Sequence, residues 1–360
     1  MNVPTYPAVF DGHNDTLLDL YLARRGKGRT FFVQSEHGHI DFPRARTGSF
    51  GGGFFAVYVP NPAVAKGPIS GDVGAKQGQQ GYMTPLPDPL EQPYALDFAM
   101  GMTAKLFQIE AESQGQLKVV RTADELADCL ERGVLAAILH FEGVEPLDTD
   151  LRVLQVFYQA GLRSLGIVWS RPNAFGHGVP FNFPASPDTG PGLTEAGHKL
   201  VKECNRLGIL IDLSHLNERG FWDVAELSDA PLVATHSGVH ALCPTPRNLT
   251  DRQLDAIGET GGVIGVNFHI GFLRTDGRSD QETSLNEIVR HAAYIADRIG
   301  IDHVALGSDF DGATMPHDLK DVAGLPKLMQ AFRDHGFDEV ALRKIAHENW
   351  LRVLRKTWKN

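Results

Sequence analysis

Side chains of the types that bind metal ions follow five short apolar segments of this sequence. They are, in chain order, His13 with Asp15, Glu142, His215, His236 and Asp309. Mixed nitrogen and oxygen ligation suits zinc better than manganese, cobalt or iron. Six such groups exceed one tetrahedral site, so the pattern predicts two zinc ions per chain, bridged by Glu142 and a hydroxide. This chemistry predicts a metal-dependent hydrolase.

Each group has an ordinary structural alternative when it is taken alone. His13 and Asp15 lie on the same side of an extended backbone, but Asp15 could instead cap the turn that follows. Glu142 emerges from an apolar segment, where a carboxylate is costly unless it binds a cation or pairs with an arginine at the rim. A single histidine at a strand end is more often structural, whereas His215 and His236 on successive strands together favour metal binding.

Two aspartates follow the last apolar segment, in the sequence Asp309-Phe310-Asp311-Gly312. A calcium loop is excluded, because the alternating acidic positions of an EF-hand do not continue beyond Gly312. We expect Asp309, directly after the strand, to face the site and Asp311 to cap the turn. Asp309 would then take up and return a proton.

The elements that position these residues are eight predicted strands. The first closes on residues 11–15, and the others lie at residues 53–59, 134–140, 164–169, 208–214, 231–235, 262–268 and 303–308. Helical patterns separate them, with caps predicted at Thr122, Thr194, Thr250 and Ser284. This alternation predicts a parallel α/β fold, and eight repeats favour a (β/α)₈ TIM-like barrel over an open sheet. All C-terminal strand ends of such a barrel meet at one mouth, which would bring the candidate ligands together.

We expect residues 1–360 to form a single domain with two long loops over this mouth. Residues 60–93 and 171–193 are rich in proline or glycine and do not fit the strand–helix repeat. Loops at the mouth of such barrels often carry specificity elements. No Gly-x-Gly-x-x-Gly follows the first strand, which argues against a nucleotide-binding sheet.

Composition limits the partners and the compartment. The formal charge of −10 argues against binding to nucleic acid. No stretch approaches 18 apolar residues, and the first residues do not resemble a signal peptide, so no membrane association is expected. Three cysteines without a Cys-x-x-Cys spacing are typical of a reducing compartment, so we expect a cytoplasmic protein.

Several motifs together resemble the membrane (renal) dipeptidase family, peptidase family M19. They are Asp11-Gly-His-Asn-Asp15, His140-Phe-Glu142-Gly143, Ile211-Asp-Leu-Ser-His215, Thr235-His236-Ser237, Pro246-Arg247-Asn248 and Gly307-Ser-Asp309-Phe-Asp311-Gly312. The resemblance implies a barrel of the metal-dependent amidohydrolase type. It implies that His13 and Asp15 hold one zinc, that His215 and His236 hold the other, and that Glu142 bridges them. Asp309 would be the catalytic aspartate, and Arg247 would bind the carboxylate of the substrate.

The chain departs from this family after the fourth strand. Trp169 stands where the family has a histidine that contacts substrate, and indole cannot become cationic. Arg171, Asn173 or His177 could supply the missing contact, and Trp169 could simply pack inside the mouth. The absence of secretion and lipid-anchor features suggests a soluble bacterial-type member, and the family resemblance alone suggests a homodimer.

The predicted function is therefore zinc-dependent hydrolysis of dipeptides, including L-Xaa-D-Xaa dipeptides, by a metal-bridging hydroxide. An N-acyl amino acid amidohydrolase or a lactonase would share every ligand, although Arg247 favours substrates with a free carboxylate. A catalytically idle binding or maturation protein is an alternative from a different class. The loss of a ligand would be its signature, and none is lost.

Overall fold

The computed structural model describes residues 6–23, 25–62, 65, 74, 76 and 78–359. Within these residues the strands are Val9–Asn14 (β1), Phe50–Tyr58 (β2), Tyr82–Thr84 (β3), Leu117–Val119 (β4), Leu135–Glu142 (β5), Leu162–Gly166 (β6), Phe181–Phe183 (β7), Leu210–Asp212 (β8), Val233–Ser237 (β9), Val263–Val266 (β10) and Val304–Leu306 (β11). Eight of them coincide with the predicted strands, with ends that differ by a few residues.

These eight strands form a closed parallel barrel. The order around it is β1, β2, β5, β6, β8, β9, β10 and β11, and β11 pairs again with β1. The predicted TIM-like barrel is therefore confirmed. Parallel strands place all their carboxyl ends at one mouth, so residues that are far apart in the sequence meet there.

The segments 60–93 and 171–193, predicted as long loops, each contain one short strand among their described residues. β3 from the first segment pairs with β7 from the second in a two-stranded antiparallel sheet. Strands of three residues show no usable periodicity, so this pairing could not be predicted from the sequence. Part of the predicted loop at 60–93 (63–64, 66–73, 75 and 77) lies outside the described residues. β4, which was also not predicted, extends the sheet beside β5.

Helices surround the barrel. The α-helices are Thr16–Tyr21, Phe42–Thr47, Gln92–Glu112, Ala123–Arg132, Arg152–Ala160, Glu195–Leu207, Glu218–Leu227, Asp251–Glu259, Leu285–Ile299, Leu325–His335, Glu339–Arg343 and Asn349–Thr357. Shorter turns are the 3₁₀ segments Ile270–Phe272, Ile301–His303 and Val322–Gly324 and the π-helical turn Lys344–Glu348. No helix among the described residues is long and apolar enough to cross a membrane.

The helix ends follow the predicted capping chemistry. The hydroxyls of Thr122 and Thr194 accept hydrogen bonds from the third residue of their helices. Both helices end at a glycine in the left-handed conformation, Gly133 and Gly208, where a side chain would be strained. Thr250 forms a capping box with Gln253, and Ser284 caps the helix Leu285–Ile299.

The bottom of the barrel is filled by large apolar side chains. Phe10, Phe54 and Ile138 from the strands pack there against Trp350 of the last helix. The Trp350 indole N–H donates to the Leu306 carbonyl at 3.2 Å. A Cβ at Gly12 would lie 2.6 Å from the Trp350 ring, so glycine is needed where β1 passes over this indole. The polar site above therefore rests on a closed apolar base.

Candidate active site

Glu142, at the end of β5, is the point where the three candidate histidine ligands meet. Its Oε1 lies 3.0 Å from His215 Nε2, 3.5 Å from His236 Nε2 and 3.7 Å from His13 Nε2. All four side chains are buried. His13 and His236 lie in β1 and β9, and His215 lies three residues after β8, so closure of the barrel is what brings these nitrogens to one carboxylate.

A second group of candidate ligands shares His13 with the first. His13, Asp15 and Asp309 each offer an atom within 4.8 Å of the others, and His13 Nε2 lies 3.6 Å from Asp15 Oδ2. Asp15 stands at the N-cap of the first helix, but its side chain makes no capping hydrogen bond. The carboxylate of Asp15 is therefore directed to the site rather than used as a cap.

The charges of this cluster fit a bound cation. Burial raises the pKa of Glu142 well above its usual range and lowers the pKa of His215 and His236 well below theirs. Burial also lowers the pKa of His13, but Glu142, Asp15 and Asp309 outweigh it and raise the pKa to about 10. Both ring nitrogens of His13 and Oδ1 of Asp15 are buried without a hydrogen-bond partner. Buried nitrogen and oxygen atoms of this kind are what a zinc ion binds.

The backbone conformation presents two of these side chains to the site. His215 and Asp309 have positive φ values, of 67° and 63°, which non-glycine residues seldom adopt. Gly312 lies against the carboxylates, because a Cβ there would be 2.0 Å from Asp15 Oδ2 and 2.5 Å from Asp309 Oδ1. Any larger residue at position 312 would displace both acids.

The outer nitrogens of His215 and His236 are held by hydroxyl groups. Ser170 Oγ lies 2.8 Å from His215 Nδ1, and Thr235 Oγ1 lies 2.8 Å from His236 Nδ1. The Thr235 hydroxyl in turn donates to the buried carboxylate of Asp212 at 2.6 Å. Such contacts fix the ring orientation and leave Nε2 of each histidine for the centre.

The two aspartates after β11 have different surroundings. Asp309 accepts a hydrogen bond from Asn267 Nδ2 at 3.0 Å and lies beside His13 and Asp15. Asp311 accepts hydrogen bonds from Thr16 at 2.8 Å and from Arg29 at 2.9 Å, so it ties the turn to neighbouring segments. Of these two aspartates, Asp309 is the one that lies beside the candidate ligands.

Arg247 is a buried cation near the centre. Its Nη2 donates to the His236 carbonyl at 3.0 Å, and its guanidinium lies 5.6 Å from the Phe272 ring centroid. The pKa of Arg247 is lowered, because the effect of burial outweighs that of the neighbouring carboxylates of Asp309 and Glu142, which raise it. Nε of Arg247 is buried without a partner. The sequence alone did not mark this loop residue, and only the family resemblance pointed to it.

Trp169 stands where the family has a histidine that contacts substrate, and Asn173 and His177 were candidates to replace that contact. The three residues have different surroundings. Trp169 lies at the mouth, with its ring 5.9 Å from the ring of His215. The amide of Asn173 bonds three backbone groups, at Ile167, Phe175 and Gly176, so it is used within its own loop. The backbone carbonyl of His177 accepts a hydrogen bond from Asn217 N–H at 3.2 Å.

The guanidinium of Arg171, also considered for that contact, is used elsewhere. It bonds Glu145 at 2.9 Å, Asn61 at 2.6 Å and the Val59 carbonyl at 2.9 Å.

Six residues that support the candidate ligands were not predicted from the sequence. They are Asp11, Ser170, Asp212, Thr235, Asn267 and Ser308. A usable signal existed for Asp11 and Asp212, since each is a carboxylate inside an otherwise apolar strand. Their partners could not be predicted, because they depend on which strands are neighbours.

Fold and site together define a metal-dependent hydrolase on a TIM barrel. The sequence model of the membrane dipeptidase family, peptidase family M19, matches residues 2–360. The chain therefore belongs to this family, and it is a metallopeptidase that acts on dipeptides.

Similar proteins agree with this assignment. A crystal structure of a metallopeptidase from Rhodobacter sphaeroides, liganded with a phosphinate mimic of L-Ala-D-Ala, has a TM-score of 0.93 and 50% identity, covering 98% of this chain and 100% of that chain. A crystal structure of a dipeptidase of family M19 has a TM-score of 0.92 and 51% identity, covering 99% of each chain. A protein of Klebsiella pneumoniae described as uncharacterized, from the pqqA 5' region, is 52% identical over 263 residues, 73% of this chain and 97% of that protein.

Proposed function

We propose that this chain is a binuclear zinc dipeptidase that cleaves dipeptides with an L-residue followed by a D-residue. The observation that carries the proposal is the convergence of His13, His215 and His236 on the buried Glu142. The similar enzyme from Rhodobacter sphaeroides was crystallised with a mimic of L-Ala-D-Ala, which supports the stereochemistry.

We assign the candidate ligands to two sites that share one bridging carboxylate. His13 and Asp15 would hold one zinc ion, His215 and His236 the other, and Glu142 both. When bound, the metal pair would polarise the scissile carbonyl and lower the pKa of a water molecule, so that this water can lose a proton and act as the nucleophile. The buried and unpartnered nitrogens of His13 support this assignment.

The protein's own groups would orient the substrate and move the proton. The Arg247 guanidinium can bind the terminal carboxylate through two parallel hydrogen bonds, which limits substrates to short peptides. Asp309, held by Asn267, would accept the proton of the attacking water and deliver it to the leaving amine. The carboxylate of Asp309 raises the pKa of Arg247, so the two groups are near enough for one short substrate to reach both.

Turnover and metal content measured together test this function. We expect two zinc ions per chain by mass spectrometry of the intact holoenzyme, and cleavage of L-Ala-D-Ala faster than of L-Ala-L-Ala. Chelation should abolish turnover and lower the melting temperature, because the metal binds only the folded site, and zinc should restore both. A protein that carries two metals and cleaves no dipeptide would refute the proposal and direct attention to N-acyl amino acids and lactones.

Two further expectations concern the environment of the enzyme. A homodimer and a cytoplasmic location remain predictions from the family resemblance and from cysteine usage. Light scattering of the purified protein and fractionation of cells would test them separately.

A further inference from the structure

Four aromatic side chains form a continuous surface beside the candidate metal centre, which we call the aromatic wall. They are Tyr58, Trp169, Phe181 and Phe272. The Trp169 ring lies 5.0 Å from Tyr58 and 5.5 Å from Phe181. Phe181 stacks on Phe272 at 6.1 Å with an interplanar angle of 5°. The wall therefore joins three segments that are distant in the sequence.

The wall lies against the candidate metal centre. The rings of Trp169 and Phe181 lie 5.9 and 6.2 Å from the ring of His215. Tyr58 is the register partner of Glu142 in the parallel pair of β2 and β5, so their side chains share the inner face of the barrel. Tyr58, Trp169 and Phe181 are only half-buried, so apolar surface remains accessible next to the candidate ligands.

Arg171, the cation that packs against Tyr58 and Trp169 of the wall, is already paired with a carboxylate. The Arg171 guanidinium packs 5.5 Å from the Trp169 ring centroid and 5.9 Å from that of Tyr58. Its charge is compensated by the buried carboxylate of Glu145. The wall therefore offers a substrate an apolar surface rather than a free cation.

The direction of a bound dipeptide follows from the order of contacts. Arg247, the proposed carboxylate site, packs on Phe272, which contacts Phe181, which contacts Trp169. A substrate with its carboxylate at Arg247 and its scissile carbonyl near Glu142 must extend its N-terminal residue away from Arg247. Trp169 and Tyr58 lie at that far end of the wall.

We propose that Trp169 and Tyr58 form the binding site for the N-terminal side chain and select a large apolar residue there. This inference rests on the proposed dipeptidase function and adds the substrate class. Contact with aromatic rings removes apolar side-chain surface from water, whereas an acidic side chain would lose its hydration without gaining a partner.

The test measures kcat/KM of the zinc-loaded holoenzyme for L-Xaa-D-Ala, where Xaa is Ala, Leu, Phe or Glu. We expect Leu and Phe to exceed Ala about tenfold, as is usual for apolar contacts in a specificity pocket, and Glu to be the poorest. Trp169→Ala should lower the Leu-to-Ala ratio towards one. Trp169→His, which keeps a ring of smaller apolar area, should give an intermediate ratio and guards against misfolding of the alanine variant.

A matched control is Trp222→Phe. Trp222 is also half-buried but packs on Phe221 and Arg252, among the outer helices. Its substitution should leave the Leu-to-Ala ratio unchanged. Equal cleavage of all N-terminal residues, or a ratio unaffected by both Trp169 variants, would overturn the inference while leaving the dipeptidase function standing. No cleavage of any dipeptide would refute the function itself.

Discussion

Asp11 in β1 accepts two hydrogen bonds from Ser308, two residues after the end of β11. The Ser308 backbone N–H donates to Oδ1 at 2.6 Å, and its hydroxyl donates to Oδ2 at 2.8 Å. The next residue, Asp309, donates its backbone N–H to the His13 carbonyl at 3.0 Å. These three hydrogen bonds hold the turn of Asp309, the proposed proton-transfer group, against β1, which carries the candidate metal ligand His13.

We predict that Asp11→Ala lowers kcat about a hundredfold with little change in KM, because small misplacements of a reacting group are costly. Asp11→Asn should restore most of kcat, since its amide oxygen can accept from Ser308 N–H while the serine hydroxyl reverses its role. Steady-state kinetics with metal analysis of both variants would check this.

The control for Asp11→Ala lies at the other end of β11. Asn349 donates to the Ile301 and Val304 carbonyls at 2.9 and 2.8 Å. Asn349→Ala should lower the melting temperature without changing kcat of the folded enzyme. If Asp11→Ala also changed only stability, Asp11 would have no positioning role.

Asp309→Asn should keep both metals and lose most turnover. Asparagine preserves the size of the side chain but cannot accept a proton at neutral pH, so we expect kcat to fall by about 10² to 10⁴. Metal content by mass spectrometry and kcat with L-Ala-D-Ala would be measured on the same sample. An active variant would remove the proton-transfer role from Asp309.

Arg247→Ala should raise KM for dipeptides with a free carboxylate about ten- to a hundredfold, the usual range for a lost hydrogen bond to a charged group. The corresponding dipeptide amides should be poor substrates of the wild type and be little affected by the substitution. Because Arg247 also bonds the His236 carbonyl, unchanged zinc content is the required control. Equal losses for acids and amides would mean that Arg247 supports the site rather than binds the carboxylate.

His291 should make stability depend on pH below neutrality. Burial lowers its pKa from 6.5 to about 4, and Val239 N–H donates to its Nδ1 at 2.9 Å, which requires the neutral ring. Between these two pKa values, His291 is protonated in the unfolded chain and neutral in the folded chain. The contribution of His291 to stability is complete above pH ~6.5 and is lost as pH falls towards about 4, by up to about 1.4 kcal/mol per pH unit.

The His291 Nε2 lies 2.9 Å from the Leu273 carbonyl. The check compares wild type with His291→Gln, whose amide can accept from Val239 N–H and donate to that carbonyl without titrating. Free energies of unfolding would be measured in urea between pH 7 and pH 5, and the variant should show a smaller loss on acidification. Equal slopes in both proteins would contradict this account.

The sequence by itself determined the class of fold and the set of candidate ligands. Alternation of apolar strands with capped helices is a local signal, and it predicted the barrel and the caps at Thr122 and Thr194. The placement of His and carboxylate residues directly after strands is equally local. Because parallel strands end at one mouth, that placement was enough to predict a common site, and the choice of Asp309 over Asp311 followed from its position at the strand end.

Only the tertiary structure decided which residues support the site and shape its pocket. The pairing of Asp11 with Ser308 depends on barrel closure between β1 and β11, which are separated by almost the whole chain. Contact of Trp169 with Phe181 depends on the pairing of β3 with β7, for which short strands carry no periodic signal. Local periodicity predicts elements, whereas neighbours in space arise from strand order and from loop paths, and those are determined by packing of the whole chain.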